Sequence, residues 1–285
     1  MWIKLNSSII SFKRVCFDTI KCIVAQYCQQ RMKMIHSRLT SVEAVEDFYS
    51  RFQNAVSNGE DKGILLKISD EVGLNPALMA RAIIERHYQK PDKSKPSRQL
   101  ISSLMKNTAL IENEDLAFEA YLCLLDDDEY GPIADAAKQS LGNEYEIRLR
   151  MELTERKLSF LHEDHLRMKG YDKTPDIKLE IPVGNDGLIR ILKTSWWILK
   201  ISIDGQVINW IESKALFGDH DVHRGYLNDQ LYSYWNRFGP GLVIYWFGHV
   251  TDLEKFHQKR TILIRHELPS NITQMINDHG NLEEF

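Results

Sequence analysis

Two short stretches combine residue types suited to hydrolysing a phosphate ester. One is Thr174-Pro175-Asp176, and the other is Trp210-Ile211-Glu212-Ser213-Lys214, an acid followed two positions later by a lysine. Cleaving a phosphodiester near neutral pH needs an activated water and neutralisation of the charge building on the phosphoryl oxygens. Carboxylates that hold one or two Mg2+ ions supply both. On a strand, Glu212 and Lys214 share a face about 6–7 Å apart. An Asp at the head of a neighbouring antiparallel strand, after a proline-restricted turn, completes the set. The same spacing also describes a buried Glu–Lys ion pair with no chemistry.

The elements that must position these residues can be read from periodicity. Asp176–Val183 alternates Ile177, Leu179, Ile181 and Val183 with polar residues, the pattern of a half-buried strand. Ile198–Ile203, Asp204-Gly205 and Gln206–Lys214 read as a hairpin. Leu242–Phe247 is a continuous apolar run, as in a fully buried strand, and Thr261–Ile264 is expected to be the last strand. Helices are expected over Glu144–Lys157, Tyr226–Phe238 and Ile272–His279. Glu146 precedes Leu149 and Leu153 by three and seven residues, which puts a carboxylate on the inward stripe as a candidate third ligand. Gln230 sits within the packing face of Leu227, Leu231, Tyr234, Trp235 and Phe238, where its amide meets either the site or the core.

Upstream the chain reads as all-helical. Ser41–Asn58 carries Val42, Val45, Phe48, Tyr49 and Phe52 at helical spacing behind a Ser41 cap. Ile64–Val72, Gly73 and a helix opening at Asn75-Pro76 and running to about Tyr88 give the outline of a helix-turn-helix. A small bundle that only carries the other domain has the same outline. Arg98–Met105, Asn113–Leu125 and Ile133–Leu141 read as further helices, the last ended by Gly142. Asp126–Glu129 reads as a solvated connection. The division expected is a basic segment 1–39, a helical domain 40–142 and an α/β domain 143–285.

Composition excludes several classes. With 285 residues, 43% hydrophobic and 27% charged, this is an ordinary globular chain, and no run approaches the ~20 apolar residues of a membrane span. Four cysteines give neither a disulfide framework nor a CxxC site. A net charge of −4 requires any nucleic-acid contact to come from a local patch. Residues 1–39 hold seven Lys/Arg against the single acid Asp18, a composition shared by transit peptides and by basic surface helices. His220 with His223, and His162 with His165, have spacings that suit zinc, although an exposed loop before a helix accounts for the first pair equally well. There is no Walker A loop, no GxGxxG and no Ser-His-Asp signature.

The runs YDKTPDI (171–177), WIESKA (210–215) and DQLYSYWNRFGPGLVIYWFG (229–248) resemble the codanin-interacting nuclease family, a branch of PD-(D/E)xK nucleases named for its Thr-Pro-Asp motif. ARAIIERHYQ (80–89) and SFLHEDHLRMKGYDKTPD (159–176) are similar too, so the likeness covers most of 40–270. It implies a restriction-endonuclease-like α/β core, a mixed sheet flanked by helices, behind an all-α domain of helix-turn-helix character. It further implies dependence on Mg2+ (or Mn2+), action on nucleic acid with DNA favoured over RNA, and a codanin-type protein partner. Nuclear and cytoplasmic residence, and a link to erythroid differentiation in vertebrate relatives, belong to the same implication. Carried onto this chain, Asp176 and Glu212 are the metal acids, with the Ser213 backbone carbonyl and Glu146 as further ligands. Lys214 is the motif lysine, and Gln230 stays a further catalytic candidate from its place in the helix face. A catalytically silent nucleic-acid-binding or scaffold subunit with the same partner is the alternative, and the filled motif positions favour the enzyme. Two stretches depart from the family: residues 1–35, and Gly184–Ser202, which looks inserted and carries Trp196, Trp197, Ile198 and Leu199, costly to leave exposed.

Overall fold

The structure, a computed structural model, describes residues 16–89, 94–183, 202–203, 206–256 and 262–272. All but the first residue of the expected terminal helix Ile272–His279 and all but the last of the Gly184–Ser202 segment lie outside these residues, as does the chain before Cys16. Two compact units are present, one of Val24–Ser140 and one of Leu141–Phe285 together with Met1–Ile23.

The helical unit holds most of α1 (Phe17–Leu39), then α2 (Val42–Ser57), α3 (Ile64–Val72), α4 (Pro76–His87), α5 (Arg98–Lys106), α6 (Glu114–Asp126) and the first turns of α7 (Pro132–Glu155). Its helix starts follow the sequence. The Ser41 hydroxyl accepts from the Ala44 N–H, and the Asn75 side chain accepts from Ala77 and Leu78 ahead of Pro76. α3 and α4 follow one another through a turn at left-handed Gly73. α4 lies against α2, α3, α5 and α6 with Met79, Ala80, Ile83 and Ile84 fully buried, and Arg81 is its one exposed residue. Val42, expected on the core face of α2, is 81% exposed at the first helical position.

Two buried acids organise this unit in ways the spacing did not reveal. Glu119 of α6 is fully buried and accepts from the N–H groups of Gly63 and Leu65, capping α3 where no local side chain does. Asp127, inside the acidic run expected to be solvated, is 3% exposed and accepts from the N–H groups of Glu129, Tyr130 and Gly131 just ahead of α7.

Gly142 does not end a helix. α7 runs unbroken through it, so the expected helices Ile133–Leu141 and Glu144–Lys157 are one. An interior glycine costs only about 1 kcal/mol relative to alanine, too little to stop a long helix without a proline.

The second unit is a mixed sheet with helices on both faces. Its strands are β1 (Phe160–His162), β2 (Ile177–Val183), β3 (Ser202–Ile203), β4 (Gln206–Lys214), β5 (Gly241–Tyr245) and β6 (Ile262–Arg265), with α8 (Glu163–Met168) between β1 and β2. The order is β1-β2-β4-β5-β6, with β3 beside β4. β1–β2, β2–β4 and β3–β4 are antiparallel, whereas β4–β5 and β5–β6 are parallel. One face packs Ile177, Ile211, Leu242 and Ile244 against Leu149 and Leu153 of α7. The other packs Trp210, Val243, Tyr245 and Ile264 against Leu227, Leu231 and Tyr234.

Those last residues belong to a helical stretch that begins at His220, six residues earlier than expected, because Asp219 caps it by accepting from the Val222 N–H. α9 (His220–Tyr226) passes through a π-helical turn, Leu227–Leu231, into α10 (Tyr232–Phe238). A short α11 (Asp252–Phe256) precedes β6. Between α10 and β5, the Gly-Pro-Gly run does more than stop the helix. Gly239 has φ 82°, and a Cβ on Gly241 would lie 2.1 Å from the Trp210 ring, its register partner across β4–β5.

Candidate active site

The antiparallel pairing of β2 with β4 brings the two motifs together. Ile177 at the start of β2 pairs with Ile211 near the end of β4, so Asp176 falls beside Glu212 and Ser213 although 36 residues separate the acids. Their contacts interlock. Asp176 Oδ2 accepts from the Ser213 N–H at 2.7 Å, and Glu212 Oε2 accepts from the Asp176 N–H at 3.3 Å. Glu212 Oε1 accepts from Lys214 Nζ at 2.8 Å, and Nζ also donates to Gln230 Oε1 at 3.3 Å. The ammonium lies 4.5 Å from the centroid of the Tyr226 ring. Five of the expected residues thus form one connected group: Asp176, Glu212, Ser213, Lys214 and Gln230. The Ser213 carbonyl belongs on the Asp176 side of β4, because a strand residue's N–H and C=O point the same way.

Glu146, on α7, shares a pocket with Asp176. The pocket, of about 220 Å³, is lined also by Leu149, Arg150, His162, Glu163, Asp164 and Ile177. Glu212 and Lys214 are not in that lining; Glu212 is 2% exposed and sits behind Asp176. Asp176 is therefore the link between the pocket and the Glu212–Lys214 pair.

Charge crowding marks the site. Burial pushes the Asp176 carboxyl well above the usual carboxylate range, and the neighbouring Glu212 carboxylate adds to it, against the pull of Lys214 and the Ser213 N–H. Burial also raises Glu146, opposed by Arg150 and reinforced by Glu163 and Glu212. For Lys214, burial favours the neutral amine, but Glu212, Asp176 and the hydrogen bond to Glu212 together outweigh it and hold the ammonium protonated. An ammonium so held is placed as a donor and counter-charge within the group.

The zinc spacings do not assemble. His223 is buried in α9 with Nδ1 2.8 Å from the Tyr245 hydroxyl, while His220 is exposed, so neither sits in the loop expected for them. The His162 and His165 rings do come together, tilted by 53° with centroids 4.0 Å apart, but as a pair only. Among the described residues no three His, Cys, Asp or Glu side chains stand as a ready ligand cluster.

Comparison with known proteins bears on the same residues. Residues 112–268 match the family described as "Protein of unknown function TPD sequence-motif". Proteins named CDAN1-interacting nuclease 1 match along most of their length. The Xenopus laevis protein is 42% identical over 258 residues, 90% of this chain and 79% of that protein. The human protein is 41% identical over 257 residues, covering 90% and 85%, and the Danio rerio protein 39% over 264 residues, covering 93% and 82%. This chain belongs to the CDAN1-interacting nuclease family. No solved structure matches it.

The Thr174-Pro175-Asp176 run, which lies within the stretch matching the TPD sequence-motif family, has a physical account in this member of the CDAN1-interacting nuclease family. Thr174 is 5% exposed and its Oγ1 donates to Glu163 Oε1 at 3.1 Å, tying the turn to α8. On the other side, Lys173 Nζ donates to the Asp229 carbonyl in the π-helical turn, and Arg237 of α10 donates to the Lys173 carbonyl at 2.8 Å. Asp176 thus leaves a loop fastened to two helices. The π-helical turn itself holds both Asp229 and Gln230, a common placement for such turns near functional residues. Glu163, Arg150, Arg237 and this turn were not found from sequence. Only the run HEDH beside the motif hinted at Glu163, and nothing local singled out the arginines.

Proposed function

We propose that this chain is a metal-dependent nuclease that hydrolyses phosphodiester bonds of nucleic acid, with Asp176, Glu212 and Lys214 at its centre and a CDAN1-type protein as partner. What carries the reading is the interlock of two carboxylates and an ammonium at the β2–β4 seam, with Asp176 opening onto a pocket. An ion pair kept only for stability would not need a second, energetically unfavourable carboxylate beside it.

The donor set suits a hard divalent cation. Asp176, Glu212 and the Ser213 carbonyl offer oxygen only, Glu146 lines the same pocket, and Asp176 lies where negative charge is under-compensated. These residues would hold Mg2+ or Mn2+, with waters completing the shell as Mg2+ commonly requires. Such a cation supplies Lewis-acid polarisation of a phosphoryl oxygen and activation of water. Lys214, fixed by Glu212 and Gln230, donates to the charge developing on the phosphorane. Glu146, whose carboxyl burial raises above its ordinary value, lines the pocket where it can exchange a proton with water. Nuclear and cytoplasmic residence is part of the same proposal through the family, whose vertebrate members the resemblance links to erythroid differentiation.

The test is a panel of DNA and RNA substrates, single-stranded, hairpin and branched, incubated with and without Mg2+. Cleavage is expected only with metal, and Asp176→Ala and Lys214→Ala are expected to abolish it while circular dichroism stays unchanged. Binding without cleavage by the wild type, or equal activity in the variants, sinks the enzyme reading and leaves the scaffold.

A further inference from the structure

The pocket beside Asp176 poses an electrostatic problem for an anionic substrate. Four of its eight lining residues are acids, Glu146, Glu163, Asp164 and Asp176. A phosphate entering this field is repelled unless a cation meets it. Arg150 is the only permanently charged cation in the lining. It projects from α7 one turn after Glu146, is half-buried, and makes no side-chain hydrogen bond or ion pair among the described residues. The other arginines of this unit described nearby are occupied: Arg148 with Glu152, Arg167 with Glu163, and Arg237 with Asp172. A half-buried guanidinium that offsets Glu146 electrostatically but has no hydrogen-bonded partner among the described residues has the geometry for forked recognition of phosphate oxygens.

We propose that Arg150 is a substrate-positioning residue that binds an internal backbone phosphate next to the scissile one. The proposal rests on the nuclease reading above and specifies its substrate. The enzyme needs a strand with at least one phosphodiester flanking the bond it cuts, and the contact is to backbone and not to base.

The test uses the full chain with Ca2+ in place of Mg2+ and a short fluorescent single-stranded oligonucleotide, made with a 5′-hydroxyl and with a 5′-phosphate. Arg150→Gln is expected to weaken binding of both oligonucleotides about tenfold to a hundredfold. It is also expected to reduce the slope of log K against log salt by about 0.7, the contribution of one phosphate contact on a single strand. Arg150→Lys keeps the charge, so it should retain most of the slope while losing part of the affinity. In cleavage, Arg150→Gln should raise KM with kcat nearly unchanged. An unchanged slope and affinity in a folded Arg150→Gln protein overturns the proposal. So does an effect confined to the 5′-phosphorylated strand, which would make the site one for strand ends. If the wild type cleaves nothing, the nuclease reading fails by itself, and the salt slope still decides the role of Arg150.

Discussion

Replacing the buried Glu212–Lys214 pair separates its part in stability from its part in chemistry. Lys214 and Glu212 are 15% and 3% exposed and their charged atoms lie 2.8 Å apart. At an effective dielectric of ~20, unit charges at that separation attract by about 6 kcal/mol, against about 1 kcal/mol or less for an exposed pair. Dehydration of both groups offsets most of this gain, so the pair as a whole adds little net stability. Removing one partner is a different matter. Lys214→Met strands the Glu212 carboxylate, left with the Asp176 N–H, and should destabilise by about 3 kcal/mol. Glu212→Gln leaves an ammonium that still has Gln230, the Tyr226 ring and some solvent, and should lose about 1 kcal/mol.

The double variant Glu212→Gln/Lys214→Met removes both charges and should unfold within about 1 kcal/mol of the wild type, a coupling of about 3 kcal/mol. Urea unfolding at neutral pH, without metal and with a common m-value, measures all four corners. All three variants should be inactive in the Mg2+ cleavage assay, so the double variant would be a stable, dead enzyme. Single-variant losses that simply add in the double variant, to within about 0.5 kcal/mol, would refute the claim that the two charges are compensating neighbours.

Asp176 predicts an inverse result. Because burial and Glu212 raise its native pKa, the native state holds this proton at pH values where the unfolded chain, titrating near 3.9, has released it. Apo-protein stability should therefore fall as pH rises from about 4 towards the native value, and Asp176→Asn should remove that slope and be more stable than the wild type at neutral pH. Urea titrations across pH 4–8 measure it, and an Asn variant no more stable than the wild type at neutral pH counts against the crowding. Added Mg2+ should stabilise the wild type and not the Asn variant. In the helical unit, Glu119→Ala should cost about 2–4 kcal/mol by stranding the N–H groups of Gly63 and Leu65, with cleavage per folded molecule unchanged. A loss of urea midpoint equivalent to less than about 1 kcal/mol would mean water replaces the carboxylate.

The parts of the fold legible in the sequence are those set by neighbours along the chain. The Ser41 and Asn75-Pro76 caps and the five-residue buried strand β5 follow from local sterics and periodicity, as does the alternation of buried Ile177 and Leu179 with Lys178 and Glu180 in β2. What escaped was set at long range. Glu119 lies 54 residues from Leu65, and His223 is satisfied by a hydroxyl 22 residues away, so nothing local to either helix marks these polar residues as buried. Gly142 misled for the opposite reason: a weak local preference against helix was overridden by the length of α7. At the site, Asp176, Glu212 and Lys214 were visible because strand spacing is short and rigid. Glu146 was found through the stripe it shares with Leu149, but Arg150, next to that stripe, looked like any solvent-facing arginine.

The topology explains why the chemistry sits where it does. A strand entering a sheet antiparallel to β4 must begin beside the end of β4, so the residue just before β2 is the one that can meet Glu212 without breaking the ladder. Proline at 175 has no N–H to place and restrains the turn, and Thr174 fastens it to α8, leaving Asp176 to offer its N–H to Glu212 and its carboxylate to Ser213. β4 continues parallel to β5, which buries its other edge and the Trp210 face, so Glu212 and Lys214 lie where the apolar layer gives way to the π-helical turn. The π-helical turn brings Gln230 onto Lys214 and the Asp229 carbonyl onto Lys173, so one irregular helix steadies both halves of the motif. The carboxylates are held together against their mutual repulsion by backbone ladders and helix contacts, none of which depends on their being charged. That is the arrangement expected where a charged ligand, absent from the folding balance, supplies the missing compensation when it arrives.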